Sequence, residues 1–271
     1  MRFGISVPNF GEYSDPTAVT DLAVVAEGSG WHGFFVWDHI VVSDGTPVAD
    51  PWVILTAVAL STETIEIGPM VTPVPRRRPW VLARQATTVD HLSDGRLILG
   101  VGIGFPPEVE FGTFGEPIDE RERADMLDEG LDILEGMWSG DVFSFAGEHF
   151  TVEPTRFAPR PVQRPRIPIW VAAGWGSPRP IRRACRYEGV FPVKWDMTDW
   201  TPTEVEELRE SVVEVRGDAD HFEIAIGGSF QPVTQRFSDY EAAGATWYLA
   251  GPGQTDSIED LRRTIALGTP S

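Results

Sequence analysis

Gly33-Phe34-Phe35-Val36-Trp37-Asp38-His39-Ile40 is the stretch on which the reading of the whole chain turns. Phe34, Phe35 and Val36 form a short apolar run after a glycine-rich turn, the pattern of a buried strand. Trp37, Asp38 and His39 follow where such a strand leaves the core. An imidazole beside a carboxylate at a strand end suits proton transfer, because histidine titrates near neutrality and a neighbouring carboxylate can tune it. Taken alone, the same residues suit a capped strand entering a loop better, so the rest of the chain has to decide.

Upstream, residues 2–8 read as a first strand. Asp15-Pro16 then supplies a helix N-cap with proline at the first helical position, and the helix ends at Gly28-Ser29-Gly30. Downstream the same grammar returns. Asp50-Pro51 opens a helix, 65–71 is a third strand, Pro79 opens a helix closed by Asp94-Gly95, and 96–102 is a fourth strand. A long amphipathic helix is predicted over about 118–138. Residues 139–168 break the rhythm and read as an inserted hairpin and a proline-rich wrapping arm. Strand five is predicted at 169–173, a helix capped by Ser177-Pro178 follows, and strand six at 189–193. The capping box Thr201-Pro202-Thr203-Glu204 opens the next helix. Strand seven at 222–226, a short helix capped at Ser238, strand eight at 246–250 and a helix over about 257–267 complete the chain. Eight strands alternating with helices predict a closed (β/α)8 barrel, one domain over residues 1–271, with a doubly wound open sheet as the competitor.

Composition narrows the function. With 271 residues, 42% hydrophobic and 23% charged, the chain is of ordinary globular make-up, and its net charge of −19 argues against nucleic-acid binding. No apolar run reaches membrane-spanning length and the N-terminus starts directly with a strand pattern, so a soluble, cytoplasmic protein is expected. Cys185, the single cysteine, excludes an internal disulfide. His32, His39, His91, His149 and His221 show no metal-ligand spacing, and no metal is expected. Basic residues cluster at Arg76-Arg77-Arg78 and at Arg179, Arg182, Arg183 and Arg186, while Lys194 is the only lysine.

In a barrel of this kind the functional groups sit on the loops after the strands. His39 falls after strand two, Glu108 and Glu110 after strand four, Gly174-Trp175-Gly176-Ser177 after strand five, Lys194-Trp195 after strand six, and Gly251-Pro252-Gly253 after strand eight. The Gly174–Ser177 segment leads into a helix, where free N–H groups favour an anion; a plain tight turn is the alternative. Gly100-Val101-Gly102-Ile103-Gly104 does not make a dinucleotide fingerprint, since its third glycine is misplaced and Pro106-Pro107 follows where a helix should begin.

Taken in order, several stretches resemble the bacterial luciferase-like superfamily of flavin- and deazaflavin-dependent oxidoreductases. They are Phe3-Gly4-Ile5, Trp37-Asp38-His39, Arg78-Pro79 with Ala83, and Leu92-Ser93-Asp94-Gly95-Arg96-Leu97. Leu99-Gly100-Val101-Gly102 with Gly104-Phe105 follows, then Arg123 with Asp128-Glu129, then Phe145-Ala146-Gly147-Glu148-His149-Phe150, and the run Pro159 to Pro165 into Pro168-Ile169-Trp170-Val171. The resemblance implies a barrel holding coenzyme F420, or alternatively reduced FMN, at its C-terminal rim. It implies a cofactor site at Pro69, Met70, Val71, Gly102, Ala173, Gly174, Trp175 and Gly176, with Lys194 as a second phosphate anchor and a non-prolyl cis peptide within 69–71. It implies His39 with Asp38 at the reacting face, and Glu108 or Glu110 as proton donor. Trp37 stands where a small residue is usual and narrows that corner. The implied function is F420-dependent hydride transfer to or from a small organic substrate. The alternatives are a two-component monooxygenase served by a separate reductase, and a non-catalytic flavin-binding barrel. A homodimer is expected by the same resemblance.

Overall fold

The computed structural model describes every residue except 44, 197, 231–235, 253–256 and 271, so Gly253, expected on the rim, lies outside the described residues. In chain order the elements are β1 (Arg2–Val7), α1 (Pro16–Gly28), β2 (Gly33–Val36), α2 (Pro51–Ser61), β3 (Glu66–Pro69), β4 (Thr72–Pro73), α3 (Pro79–Leu92) and β5 (Leu99–Gly102). Then come α4 (Pro107–Glu110), α5 (Glu120–Trp138), β6 (Val142–Ala146), β7 (Thr151–Arg156), β8 (Ile169–Gly174) and α6 (Pro178–Ala184). The chain continues through β9 (Gly189–Val193), α7 (Pro202–Arg216), β10 (Glu223–Ser229), α8 (Phe237–Ala243), β11 (Trp247–Gly251) and α9 (Ile258–Ile265).

The main sheet runs β3-β2-β1-β11-β10-β9-β8-β5-β4, and its ladders are parallel. The two ends of that order are halves of one strand, interrupted at the cis peptide Met70–Val71. β3 pairs with β2 and β4 with β5, while Ile67 bridges Leu97 through Ile67 N–H to Arg96 O (3.0 Å) and Ile98 N–H to Ile67 O (2.8 Å). The sheet thereby curls into the expected barrel. Gly68 permits this seam, since a Cβ there would lie 1.9 Å from the Ile98 carbonyl oxygen.

The helix starts follow their local chemistry. Asp15 accepts from the N–H groups of Thr17 and Ala18, Asp50 from those of Trp52 and Val53, and Thr201 and Glu204 form a reciprocal capping box. Each such cap stabilises by about 1 kcal/mol. Two starts differ from expectation. Ser177 sits at the N-cap of α6 without a capping side-chain bond, and α8 begins at Phe237 after Arg236 rather than at Ser238.

Two cores result. A large outer one lies between strands and helices, and a small inner one holds Phe35, Met70, Ile98, Trp170, Ala225, Trp247 and Leu249. Trp170 and Trp247 meet edge to face at 5.4 Å, which places Trp170 inside the barrel rather than near its rim. Below them Arg2 pairs with Glu66 and Glu223 and lays its guanidinium 4.2 Å from the Trp247 ring centre. Burial pushes the Glu66 carboxyl up despite the opposing Arg2 charge. The N-terminal end is therefore plugged, and the open end is the one where the strands finish.

The antiparallel pair β6–β7 stands apart from the main sheet. Its turn is held by Glu129 on α5, whose carboxylate accepts from the N–H groups of Glu148, His149 and Phe150. The proline-rich run is tied down by Asp90, which accepts from Val162 N–H (2.6 Å) and Gln163 Nε2 (2.8 Å). Among the described residues no helix is long and apolar enough to cross a membrane.

Candidate active site

β2 ends at Val36, and successive side chains of an extended backbone point to opposite sides. Trp37 donates from Nε1 to Ser6 Oγ (3.0 Å). Asp38 turns inward, where it accepts from Thr72 Oγ1 (2.5 Å), Arg76 Nη2 (2.7 Å) and Arg77 Nη2 (2.7 Å). His39 goes the other way. Its backbone is clamped by Asn9, which donates from Nδ2 to His39 O (2.8 Å) and accepts from His39 N–H at Oδ1 (3.1 Å). The sequence neighbours Asp38 and His39 thus do not form the acid–base pair expected of them. Asp38 is a buried counter-ion for two arginines.

The carboxylate that meets His39 is Glu110, with Oε1 2.9 Å from Nδ1. Glu110 Oε2 accepts from Ile40 N–H (3.2 Å) and from Arg76 Nη1. Residues two apart on a helical turn lie about 200° apart around its axis. Accordingly Glu110 of α4 is buried, with a side chain 1% exposed, while Glu108 is exposed and faces away towards Arg123. Of the two glutamates, Glu110 is the one that meets His39, and it is closed off from solvent. A carboxylate accepting from Arg76 and Ile40 can only accept from the ring as well, so Nδ1 carries the hydrogen of this contact. The His39 side chain is 25% exposed, enough to be reached from the mouth.

The residues expected to hold a cofactor are spread over the same rim. Pro69 ends β3, and Met70 belongs to the inner core. Val71 crowds Gly102, where a Cβ would meet it at 2.9 Å and Ala172 at 3.3 Å. Ala173 is buried and Gly174 ends β8, with the Trp195 indole 3.1 Å from where a Cβ would stand. Trp195 in turn lies against Phe105, ring centres 5.0 Å apart, both exposed. This is a floor of small groups beside aromatic faces, which fits a planar ring system.

Two expectations need correction. Trp175 N–H bonds Val193 O, Ser177 N–H bonds Gly174 O, and Pro178 and Pro180 have no N–H, so an anion there has the N–H groups of Gly176 and Arg179 left to it. The Trp175 ring packs on Trp200 at 5.3 Å. Lys194 is no second anchor in this arrangement: its ammonium is held by Glu204 Oε1 (2.8 Å) and Asp199 O (3.1 Å).

Sequence reading passed over Asn9, Phe10, Thr72, Arg76 and Arg77 as site residues. Asn9 and Phe10 follow the first strand, so the rule that loops after strands carry function could have found them. The Arg76-Arg77-Arg78 run was visible, but its acidic partners lie 34 to 39 residues away along the chain.

A parallel barrel closed below thus carries at its mouth a histidine backed by a buried carboxylate and guanidinium. The luciferase-like monooxygenase family model matches residues 1–235, and the chain belongs to that family. An F420-dependent glucose-6-phosphate dehydrogenase of Nakamurella multipartita is 33% identical over 199 residues, covering 70% of this chain and 55% of the relative. The chain spans about half the length of the glucose-6-phosphate dehydrogenases it matches. In fold it is similar to an F420-dependent secondary alcohol dehydrogenase in complex with an F420-acetone adduct (TM-score 0.79, 18% identity, 99% of each chain). It is also similar to the monooxygenase RslO1 from Streptomyces bottropensis (TM-score 0.80, 20% identity, 98% of this chain and 97% of the other).

Proposed function

We propose that this chain is an oxidoreductase that binds coenzyme F420 at the C-terminal rim and moves a hydride between it and a small organic substrate. The observation that carries the reading is His39, held through Nδ1 by Glu110 while its side chain stays 25% exposed. When bound, the deazaflavin supplies the hydride chemistry. The residues offered to it are Pro69, Met70, Val71, Gly102 and Ala173 beside the ring, and Gly174 and Gly176, with the free N–H groups of Gly176 and Arg179, towards the phosphate. His39 Nε2 takes or returns the substrate proton, and Glu110 keeps the imidazole in the tautomer that can do so. The F420-dependent naming of its relatives in sequence supports this choice over FMN.

His39→Ala is expected to lower turnover on the order of 10²–10⁴-fold with the cofactor dissociation constant unchanged. Unaltered turnover would remove His39 from the chemistry and favour a non-catalytic barrel. Titration with F420 and with FMN tests the cofactor: preference for FMN would move the reading to a monooxygenase fed by a separate reductase.

We further propose a cytoplasmic homodimer of one-domain chains, joined through α2. This helix is apolar around its whole circumference, with Val53 64% and Leu60 67% exposed on its outer side. A helix hydrophobic all round is one that expects to be covered. The double variant Val53→Glu, Leu60→Glu should run as a monomer in light scattering where the parent chain runs as a dimer. A monomeric parent would end this part of the reading.

A further inference from the structure

β8 lies between β5 and β9 in the barrel and ends at Gly174. The loops that follow its two neighbours each carry one large ring to that end, Phe105 after β5 and Trp195 after β9. Gly104, just before Phe105, has φ +82°, and a Cβ there would lie 2.5 Å from the Phe111 ring. The turn that sends Phe105 outward therefore requires glycine. On the other side the backbone is pinned on both flanks of Trp195. Lys194 is held by Glu204 Oε1 and the Asp199 carbonyl, and Asp196 Oδ1 accepts from Thr198 N–H (3.1 Å) and Thr198 Oγ1 (2.9 Å). The two rings meet with centres 5.0 Å apart and planes tilted by 47°, which bridges the end of β8. Atoms Nε1, Cζ2 and Cε2 of the indole lie 3.1, 3.4 and 3.5 Å from where a Cβ of Gly174 would stand, so the indole rests directly on the main chain there.

Both rings are nevertheless 59% exposed, and neither joins either core. They are held mainly by each other, and one aromatic pair of this kind shifts an equilibrium by about a decade. The indole thus covers the floor residue that the cofactor reading gives to the ligand. It does so with a side chain that can change rotamer while its pinned backbone stays in place. We propose that Phe105 and Trp195 form an aromatic gate across the end of β8. The gate is closed in the empty protein, and the Trp195 side chain must swing off Gly174 before a cofactor can reach it and the N–H groups of Gly176 and Arg179 beyond. The proposal rests on the cofactor reading above. It gives the two rings control of entry to the rim, with no part in the proton transfer at His39. Since the closed form cannot take the ligand, apparent affinity is lowered by the fraction of chains that are open. Loss of the gate therefore speeds association and tightens binding, whereas loss of an ordinary wall residue speeds dissociation and weakens it.

The test is stopped-flow binding of F420 and of FMN to the full chain, followed by the fluorescence of the cofactor. Trp195→Ala should raise the association rate roughly tenfold with the dissociation rate kept, so that Kd falls by the same factor. Phe105→Ala should act in the same direction, and the double variant should be no faster than Trp195→Ala alone, because both changes remove one contact. The conservative Trp195→Phe, which keeps a ring over Gly174, should stay near the parent rate. Unchanged association rates, or a rise in the dissociation rate alone, would overturn the gate. A second readout needs no cofactor: fluorine NMR relaxation dispersion on the chain labelled with fluorotryptophan, the Trp195 signal being identified by its loss in Trp195→Phe. That signal should exchange between two positions, with the open one gaining population in Phe105→Ala. A Trp195 signal without exchange would overturn the gate. Failure of both F420 and FMN to bind the parent and its variants would instead overturn the cofactor reading, and the fluorine signal would still decide whether the rings open.

Discussion

Glu110→Gln is expected to lower turnover on the order of 10²–10⁴-fold, the range associated with loss of a general base, while leaving cofactor affinity where it was. The amide has one acceptor oxygen where the carboxylate had two. Arg76 and the Ile40 N–H both demand an acceptor, and Arg76 carries a charge, so the amide oxygen turns to them. The NH2 group then faces His39 Nδ1. A donor opposite Nδ1 forces the imidazole hydrogen onto Nε2, and the lone pair at the mouth is lost. Because Glu110 acts through His39, its effect should vanish in the His39→Ala background, as contacting residues in one network do not add. A Glu110→Gln enzyme with parental turnover and pH profile would show that the tautomer is set elsewhere.

Arg76→Met is expected to lose the most stability of any single change at the rim. Arg76 bridges Asp38 and Glu110, two buried carboxylates, and also donates to the Asp38 carbonyl (2.9 Å). Removing one partner of a buried pair destabilises by about 3–5 kcal/mol, because the remaining charge keeps its desolvation cost. For a chain of this size that is a fall in melting temperature of roughly 10 °C. Arg77 and Thr72 would still hold Asp38, so the double variant Arg76→Met, Glu110→Gln should recover part of the loss. Calorimetric melting of the three proteins checks both statements. An unchanged melting temperature for Arg76→Met would mean that solvent screens the pair far better than its burial implies.

Much of the fold was legible because its signals are local. Asp15-Pro16, Asp50-Pro51 and Thr201-Pro202-Thr203-Glu204 satisfy their own helix starts within three residues. The strands β1, β2 and β3 start at residues 2, 33 and 66, and that even stride with the alternation of apolar runs and amphipathic helices leaves few topologies other than a parallel barrel. Other resemblance residues turn out to be struts. Glu129 holds the β6–β7 turn, and Arg96 donates to the carbonyls of Ala59, Thr62 and Ile65. Ser177 and Ser238 misled because a residue type that favours a cap need not bond there.

The site was legible by residue type and not by pairing. That His39 ends a buried strand, and so stands at the mouth of a barrel, follows from Phe34-Phe35-Val36 and the chirality of βαβ units alone. Which acid it meets does not. The adjacent Asp38 was the natural partner on paper, yet the pleat sends it to the opposite side, to arginines 38 and 39 residues on. Glu110 arrives from 71 residues away, and whether it or Glu108 faces inward depends on where a single helical turn begins. Local chemistry and periodicity thus determine the barrel and the rim. Only the closure of strands β2, β4 and β5 around that rim decides the partners of each charge, because those contacts join residues whose separation along the chain carries no periodic signal.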